Sequence, residues 1–371
     1  MADIPIVDIS GTDDVVAAQL LAAATDSGFA FIEGNAATGL SAQDVQSMFD
    51  LSASFFASPA DIKEQCSINS SESGKNRGWL GMHAETLDPG KQKKGDFKEA
   101  FNFSPHDPPQ PLSGPLSPRR DQLLKFQAKC HALCQRVLGL FAVALSIAPD
   151  WFETHHDMTK GETGSILRLL YYPSLQTLKA RSAQNQPDKQ TEERSEQQWQ
   201  TYEEETDVRA GAHSDYGSVT LLFQQLGQPG LEILTKKGTW APVPVNPAGS
   251  ATPPILLNIG DLLSYWTNGL LKSTVHRVIF PADPTGETKG KDRYSMAYFC
   301  HPLDSATLVP VPSRLVQEMS GGEEARKEIE KLKLLGGISS TLSGDRTRVL
   351  TAKEHLDARL GATYGPPRVT A

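Results

Sequence analysis

The 371-residue chain has a formal net charge of −8 at pH 7, a balance that argues against nucleic acid or an anionic membrane surface as its main partner. Its longest apolar stretch, Leu138 to Ala148, is too short to span a bilayer, and the opening MADIPIVDISG lacks the basic-then-apolar order of a secretory leader. With 39% apolar and 22% charged residues and only four cysteines, the composition fits a globular fold in a reducing, cytoplasmic compartment rather than a disulfide scaffold.

Residues 4–9 predict a first strand, Val15 to Ala24 an Ala/Leu-rich helix, and Gly28 to Ile32 a second strand. Ser41 opens a helix with a capping signal and periodic apolar residues through Phe56, Pro59 closes it, and a short helix follows around Ile62. Ser67 to Gly95 reads as loop and holds Trp79 and Glu85, with Asp96, Lys98 and Glu99 just before the strand AFNF. Ser104 to Pro118, with six prolines, is a covering loop. Asp121 to Leu145 has helical spacing over its whole length, and its Cys130 and Cys134 read as buried small residues rather than ligands. His155 and His156, flanked by Glu153 and Asp157, read as solvated turn residues.

A barrel begins at Gly164 to Tyr172. Thr177 to Thr206 interrupts it as a polar insertion whose larger apolar residues are Leu178, Trp199 and Tyr202. Strands are then expected at 208–213, 218–224, 231–234, 240–244, 255–258, 261–265, 275–280 and 293–300, a spacing that indicates a sandwich or barrel. After Pro312 the pattern is helical, at Glu323 to Leu335 and at Thr351 to Thr363.

Chemistry concentrates in VRAGAHSDYGSVTLLFQ, Val208 to Gln224. His213 and Asp215 lie two apart, so on a strand they share a face with Cα atoms about 6–7 Å apart. His276 in LLKSTVHRVIF offers a third ligand, and two imidazoles with one carboxylate make the facial triad of non-haem Fe(II) oxygenases. Beyond it, Arg293 and Ser295 alternate onto one face of a strand, where a guanidinium fork and a hydroxyl suit a carboxylate.

Together with ILRLLYYP (Ile166 to Pro173), NIGDLL (Asn258 to Leu263), KSTVHRV (Lys272 to Val278) and RYSMAYFC (Arg293 to Cys300), these segments resemble the isopenicillin N synthase-like family of Fe(II)/2-oxoglutarate oxygenases. Within it the likeness runs to fungal thymine-7-hydroxylases, and it covers most of the chain, from IPIVDIS to LGATYG. The resemblance implies a mainly β double-stranded β-helix (jelly roll) with flanking helices. It divides the chain into an N-terminal α/β region (1–118), a long supporting helix (119–163), the jelly roll (164–310, with the insertion at 177–206) and C-terminal helices (311–371). It implies Fe(II) on His213, Asp215 and His276, 2-oxoglutarate and O2 as co-substrates, and ascorbate as a stimulant. Arg293, Ser295 and Tyr172 would take the keto acid's distal carboxylate, while Arg168, Tyr216 and Phe299 would line the substrate pocket. The loop bearing Trp79 approaches the pocket mouth in this family, so that indole either touches substrate or anchors its loop. One departure is Leu170, where plant members often carry an Asn that can contact the keto acid.

The expected reaction is oxidation, chiefly hydroxylation, of a planar oxygen-bearing small molecule, in fungal secondary metabolism. No nucleic acid, membrane or obligate protein partner is expected. Three other readings stay open: pyrimidine 7-hydroxylation, desaturation, ring expansion or cyclisation of a natural product, and a non-catalytic binding barrel.

Overall fold

The computed structural model describes residues 1–70, 72, 76–184, 208–280, 290–319, 321–323, 326, 327, 330 and 349–364. In chain order its elements are β1 (Ile6–Val7), α1 (Asp13–Asp26), β2 (Phe29–Ile32), α2 (Ala42–Phe56), α3 (Ala60–Glu64), β3 (Gly78–Leu80), β4 (Glu99–Phe103), α4 (Arg120–Ala144) and α5 (Trp151–His155). There follow β5 (Ile166–Tyr172), α6 (Leu175–Gln184), β6 (Ala210–His213), β7 (Val219–Gln224), β8 (Leu231–Leu234), β9 (Trp240–Pro242), β10 (Ile255–Ile259) and α7 (Asp261–Trp266). The chain continues through β11 (His276–Val278), β12 (Arg293–Cys300), α8 (Arg314–Met319) and α9 (Ala352–Tyr364).

The apolar strands pair into two sheets, a major one in the order β1-β2-β10-β7-β12-β5-β4-β3 and a minor one in the order β6-β11-β8-β9. Alternation along the major sheet sorts its side chains into two layers. Leu167, Leu169 and Tyr171 of β5, with Met296 and Tyr298 of β12, join the core formed with α1, α2 and α4. Leu170, Tyr172 and Ala297 turn the other way, into a second core shared with Ala210, Leu231, Ile233 and Val278 of the minor sheet. The space between the sheets is therefore the interior of a jelly roll.

The helices seal the outer face. Ser41 caps α2 in a reciprocal box with Asp44: the Asp44 N–H donates to Ser41 Oγ at 3.1 Å and the Ser41 N–H to Asp44 Oδ2 at 2.9 Å. Along α4, Leu123, Phe126, Leu133, Val137, Leu138 and Phe141 are buried, each contributing roughly 1.5–3 kcal/mol. Cys130 and Cys134 are buried with them as free thiols, as their helical spacing predicts.

Three local expectations are corrected. Residues 261–265 are helix α7, not a strand; a six-residue segment buried at all but Tyr265 is too short to reveal its period. The polar insertion begins as α6, whose Leu178 is buried against Phe97 and Phe280 and whose Arg181 donates to Glu99 at 3.1 Å. The rest of it, with Trp199 and Tyr202, lies outside the described residues, as does most of Glu323 to Leu335. His156 is fully buried rather than solvated, with Nδ1 at 2.7 Å from the Phe152 carbonyl and Nε2 at 2.9 Å from Ser218 Oγ.

Burial pushes the pKa of His156 down to about 3, and that of His355 to about 4. As the pH falls below about 6.5 the unfolded chain takes up protons that these folded imidazoles refuse. Stability is thus expected to fall with pH between 6.5 and about 4, by up to about 1.4 kcal/mol per pH unit for each such histidine. Melting curves across that window should show it, and His156→Gln should flatten the slope; an equal slope in the variant would remove His156 from the account.

Candidate active site

The two histidines meet because β6 and β11 are antiparallel neighbours in the minor sheet, with His213 and His276 directly opposite each other. Their rings lie 4.5 Å apart between centroids. Strand β6 ends at His213, so Asp215 stands in the segment leaving the strand and not on the strand face that the two-residue spacing suggests. That segment turns Oδ1 of Asp215 to within 3.8 Å of His213 Nε2 and 3.7 Å of His276 Nε2. One ligand atom from each of the three residues falls within 4.8 Å of the others, the only such group among the described residues.

The surroundings fix each side chain. The Gly211 carbonyl lies 2.8 Å from His213 Nδ1 and the Thr274 carbonyl 3.1 Å from His276 Nδ1, so each ring can donate at Nδ1 and leave Nε2 bare as a ligand. Asn258 donates to Asp215 Oδ2 at 2.7 Å, which leaves Oδ1 facing the imidazoles. Burial pushes the His213 pKa down to about 3, helped by His276 and opposed by Asp215, so the ring is neutral. Burial would raise the Asp215 pKa, but His276, His213 and hydrogen bonds from Asn258 and Thr220 outweigh it and hold the group a carboxylate. Two imidazoles and one carboxylate are the donor set that Fe(II) takes.

A close backbone approach makes the segment possible. A Cβ on Gly260 would lie 2.2 Å from the Gly217 carbonyl oxygen. Without it, the Asp261 N–H reaches the Asp215 carbonyl at 2.8 Å.

Deeper between the sheets, Arg293 on β12 sits opposite Tyr172 on β5. Its Nη1 donates to Ser295 Oγ at 3.1 Å, and its guanidinium lies 5.0 Å from the Tyr172 ring centroid. The residue is 2% exposed, its Nε has no hydrogen-bond partner, and burial lowers its pKa despite the Tyr172 phenol beside it. A buried cation in that condition fits an anion delivered from outside the chain. The same cavity is lined by His213, Asp215, His276, Ser295 and Leu170.

A second, outer cavity bounded by α9 shares Arg168, Phe299, His213 and Asp215 with the first and adds Tyr216, Glu85, His301 and Leu356. Arg168 does not stand alone there. Its Nη2 and Nη1 donate to the two oxygens of Glu85 at 3.1 and 3.3 Å, and its Nε to Asn102 at 2.7 Å. Lys98 in turn pairs with Glu85 at 2.9 Å and with Asp96; burial alone would lower its pKa, but those two carboxylates hold it above the ordinary value. Tyr216 directs its hydroxyl to Thr363 on α9, at 2.5 Å. Trp79 lines neither cavity: its indole donates to Glu99 at 3.1 Å and it packs against the helix-side core, as an anchor does.

Glu85 and Lys98 stand out in the sequence only as charges near the pocket mouth, and α9 only as a late helix.

Residues 164–302 match the family model of the 2OG-Fe(II) oxygenase superfamily, and residues 4–122 match that described as the non-haem dioxygenase in morphine synthesis N-terminal region. A UPF0676 protein of Schizosaccharomyces pombe is 31% identical over 99% of this chain and 95% of its own. The chain belongs to the 2-oxoglutarate- and Fe(II)-dependent oxygenases. The 2-oxoglutarate-dependent dioxygenase HtyE of Aspergillus rugulosus is 29% identical over 74% of this chain and 78% of its own. Among solved structures, a full-length Neurospora crassa protein in complex with α-ketoglutarate and thymine superposes with a TM-score of 0.69 at 26% identity, covering 97% of this chain and 96% of that one. This oxygenase is thus a 2-oxoglutarate-dependent dioxygenase with a double-stranded β-helix core, and it uses iron and 2-oxoglutarate. No helix among its described residues is long and apolar enough to cross a membrane.

Proposed function

We propose that this dioxygenase holds Fe(II) on His213, Asp215 and His276, binds 2-oxoglutarate through Arg293, Ser295 and Tyr172, and oxidises a planar, oxygen-bearing small molecule against Arg168, Tyr216 and Phe299. When bound, the metal would let one O2 serve two oxidations, the decarboxylation of 2-oxoglutarate to succinate and CO2 and the oxidation of a substrate C–H bond, with one oxygen atom going to each. The chain's own residues bind, orient and exclude water. Arg293 and Ser295 offer donors to the distal carboxylate in the cavity they share with the metal-ligand candidates, and the neutral His213 need lose no proton before binding metal.

The observation that carries the substrate reading is the Arg168–Glu85 pair facing the outer cavity. Phe299, 5.7 Å from the Arg168 guanidinium, and Tyr216, tethered by its hydroxyl, offer aromatic surface to a flat ring. Because Glu85 already balances the charge of Arg168, the pocket favours a neutral carbonyl over a carboxylate or phenolate. Thymine meets that description, and so does a neutral methylated natural product. Hydroxylation is the reading preferred; desaturation or ring chemistry would follow from a different substrate pose at the same centre.

The test is substrate-dependent succinate release with neutral and anionic rings of equal size. Arg168→Ala should lose coupling with the true substrate by about 10-fold or more, the scale of a lost charge-assisted hydrogen bond. Glu85→Gln should shift preference toward the anionic rings by a similar factor. Wild-type turnover in Arg168→Ala would make that residue structural and end this picture of the pocket.

A further inference from the structure

One acidic side chain gathers the segments that carry the metal-ligand candidates. Asp261, 1% exposed at the start of α7, accepts from Ser214 Oγ at 3.1 Å and from Ser273 Oγ at 2.6 Å. Ser214 lies between His213 and Asp215, and Ser273 lies three residues before His276. The backbone N–H of Asp261 donates to the Asp215 carbonyl as well.

The countercharge comes from far along the chain. Arg359 on α9, 4% exposed and beyond the residues matched by the oxygenase model, places Nη2 at 3.0 Å from Asp261 Oδ2 and 3.1 Å from the Ser214 carbonyl. Its guanidinium also covers the Tyr216 ring at 4.2 Å, and Thr363, one turn on, holds the Tyr216 hydroxyl. One guanidinium thus touches the peptide between two metal-ligand candidates and the acid that clips both ligand-bearing segments, each through Nη2, and lies over an aromatic wall of the outer cavity. Leu356 and Leu360 of the same helix line that cavity.

We infer that Arg359 is a positioning residue that couples the docking of the C-terminal helix to the geometry of the metal site. This rests on the reading of His213, Asp215 and His276 as the ligands. A guanidinium suits the role because Nη2 reaches both a carboxylate and a carbonyl while the body of the group lies over a ring; an ammonium can satisfy the charge but not the three contacts together. Partners outside the ligand set commonly change metal affinity by 10- to 100-fold when removed.

The experiment is calorimetric titration of the full chain with Co²⁺ alone, well below the melting temperature, on wild type, Arg359→Gln, Arg359→Lys and His213→Ala. Arg359→Gln is expected to bind Co²⁺ about 10-fold more weakly, and Arg359→Lys to fall between it and wild type. A role confined to stability would lower the melting temperature and leave the Co²⁺ affinity of the folded protein unchanged, which would overturn the inference. If Arg359→Gln does not fold, Arg359→Lys decides: weaker binding supports the coupling and wild-type affinity refutes it. His213→Ala separates the two readings. If it keeps wild-type Co²⁺ affinity, the ligand assignment itself falls; if it loses the metal while the Arg359 variants keep it, only the role of Arg359 falls.

Discussion

Alanine in place of His213, Asp215 or His276 is expected to abolish both stoichiometric iron binding and turnover. Each change removes one of three protein ligands, and a two-ligand remnant has neither the chelate geometry nor the charge to retain Fe(II) against water. Asp215→Ala should be the most severe, because it removes the only carboxylate of the set and leaves Asn258, which now donates to Asp215 at 2.7 Å, with a lost acceptor in a buried site. Metal analysis after anaerobic reconstitution, with succinate release measured on the same samples, is the check. Full iron content and turnover in any one variant would remove that residue from the ligand set.

Arg293→Leu is expected to weaken 2-oxoglutarate binding by roughly 10- to 150-fold, equivalent to about 1.5–3 kcal/mol for a charge-assisted hydrogen bond. The arginine is buried, its Nε is unpartnered, and Ser295 is the near neighbour at 3.1 Å, so a bound carboxylate would be its main counter-charge. The same substitution should cost little in folding, since an uncompensated buried cation is replaced by an apolar residue. Keto acid affinity and melting temperature therefore ought to move independently. Unchanged dependence on 2-oxoglutarate would refute the assignment, and wild-type turnover without any keto acid would point to an oxidase.

What could be read from the chain alone is local and periodic. The alternation in ILRLLYY and RYSMAYFC places Arg293 and Ser295 on one face of one strand, and the structure keeps them there, 3.1 Å apart. The apolar spacing of α4 and the cap at Ser41 are legible for the same reason, since each depends on residues within a turn or two of one another. His213, Asp215 and His276 could be named as a set because H-x-D, a distal His and R-x-S follow in that order on strand-like segments, though only the pairing of β6 with β11 brings the imidazoles to 4.5 Å. Tertiary structure decided the rest. Helix α7 and a strand look alike in so short and largely buried a segment, and His156 looks like a surface residue until Phe152 and Ser218 enclose it. The charge balance of the outer cavity is set by Glu85 meeting Arg168 across 83 positions of sequence, and Arg359 reaches Ser214 across 145. Such contacts leave no periodic trace, because a buried ion pair constrains where two side chains end and not how either is spaced along its own element.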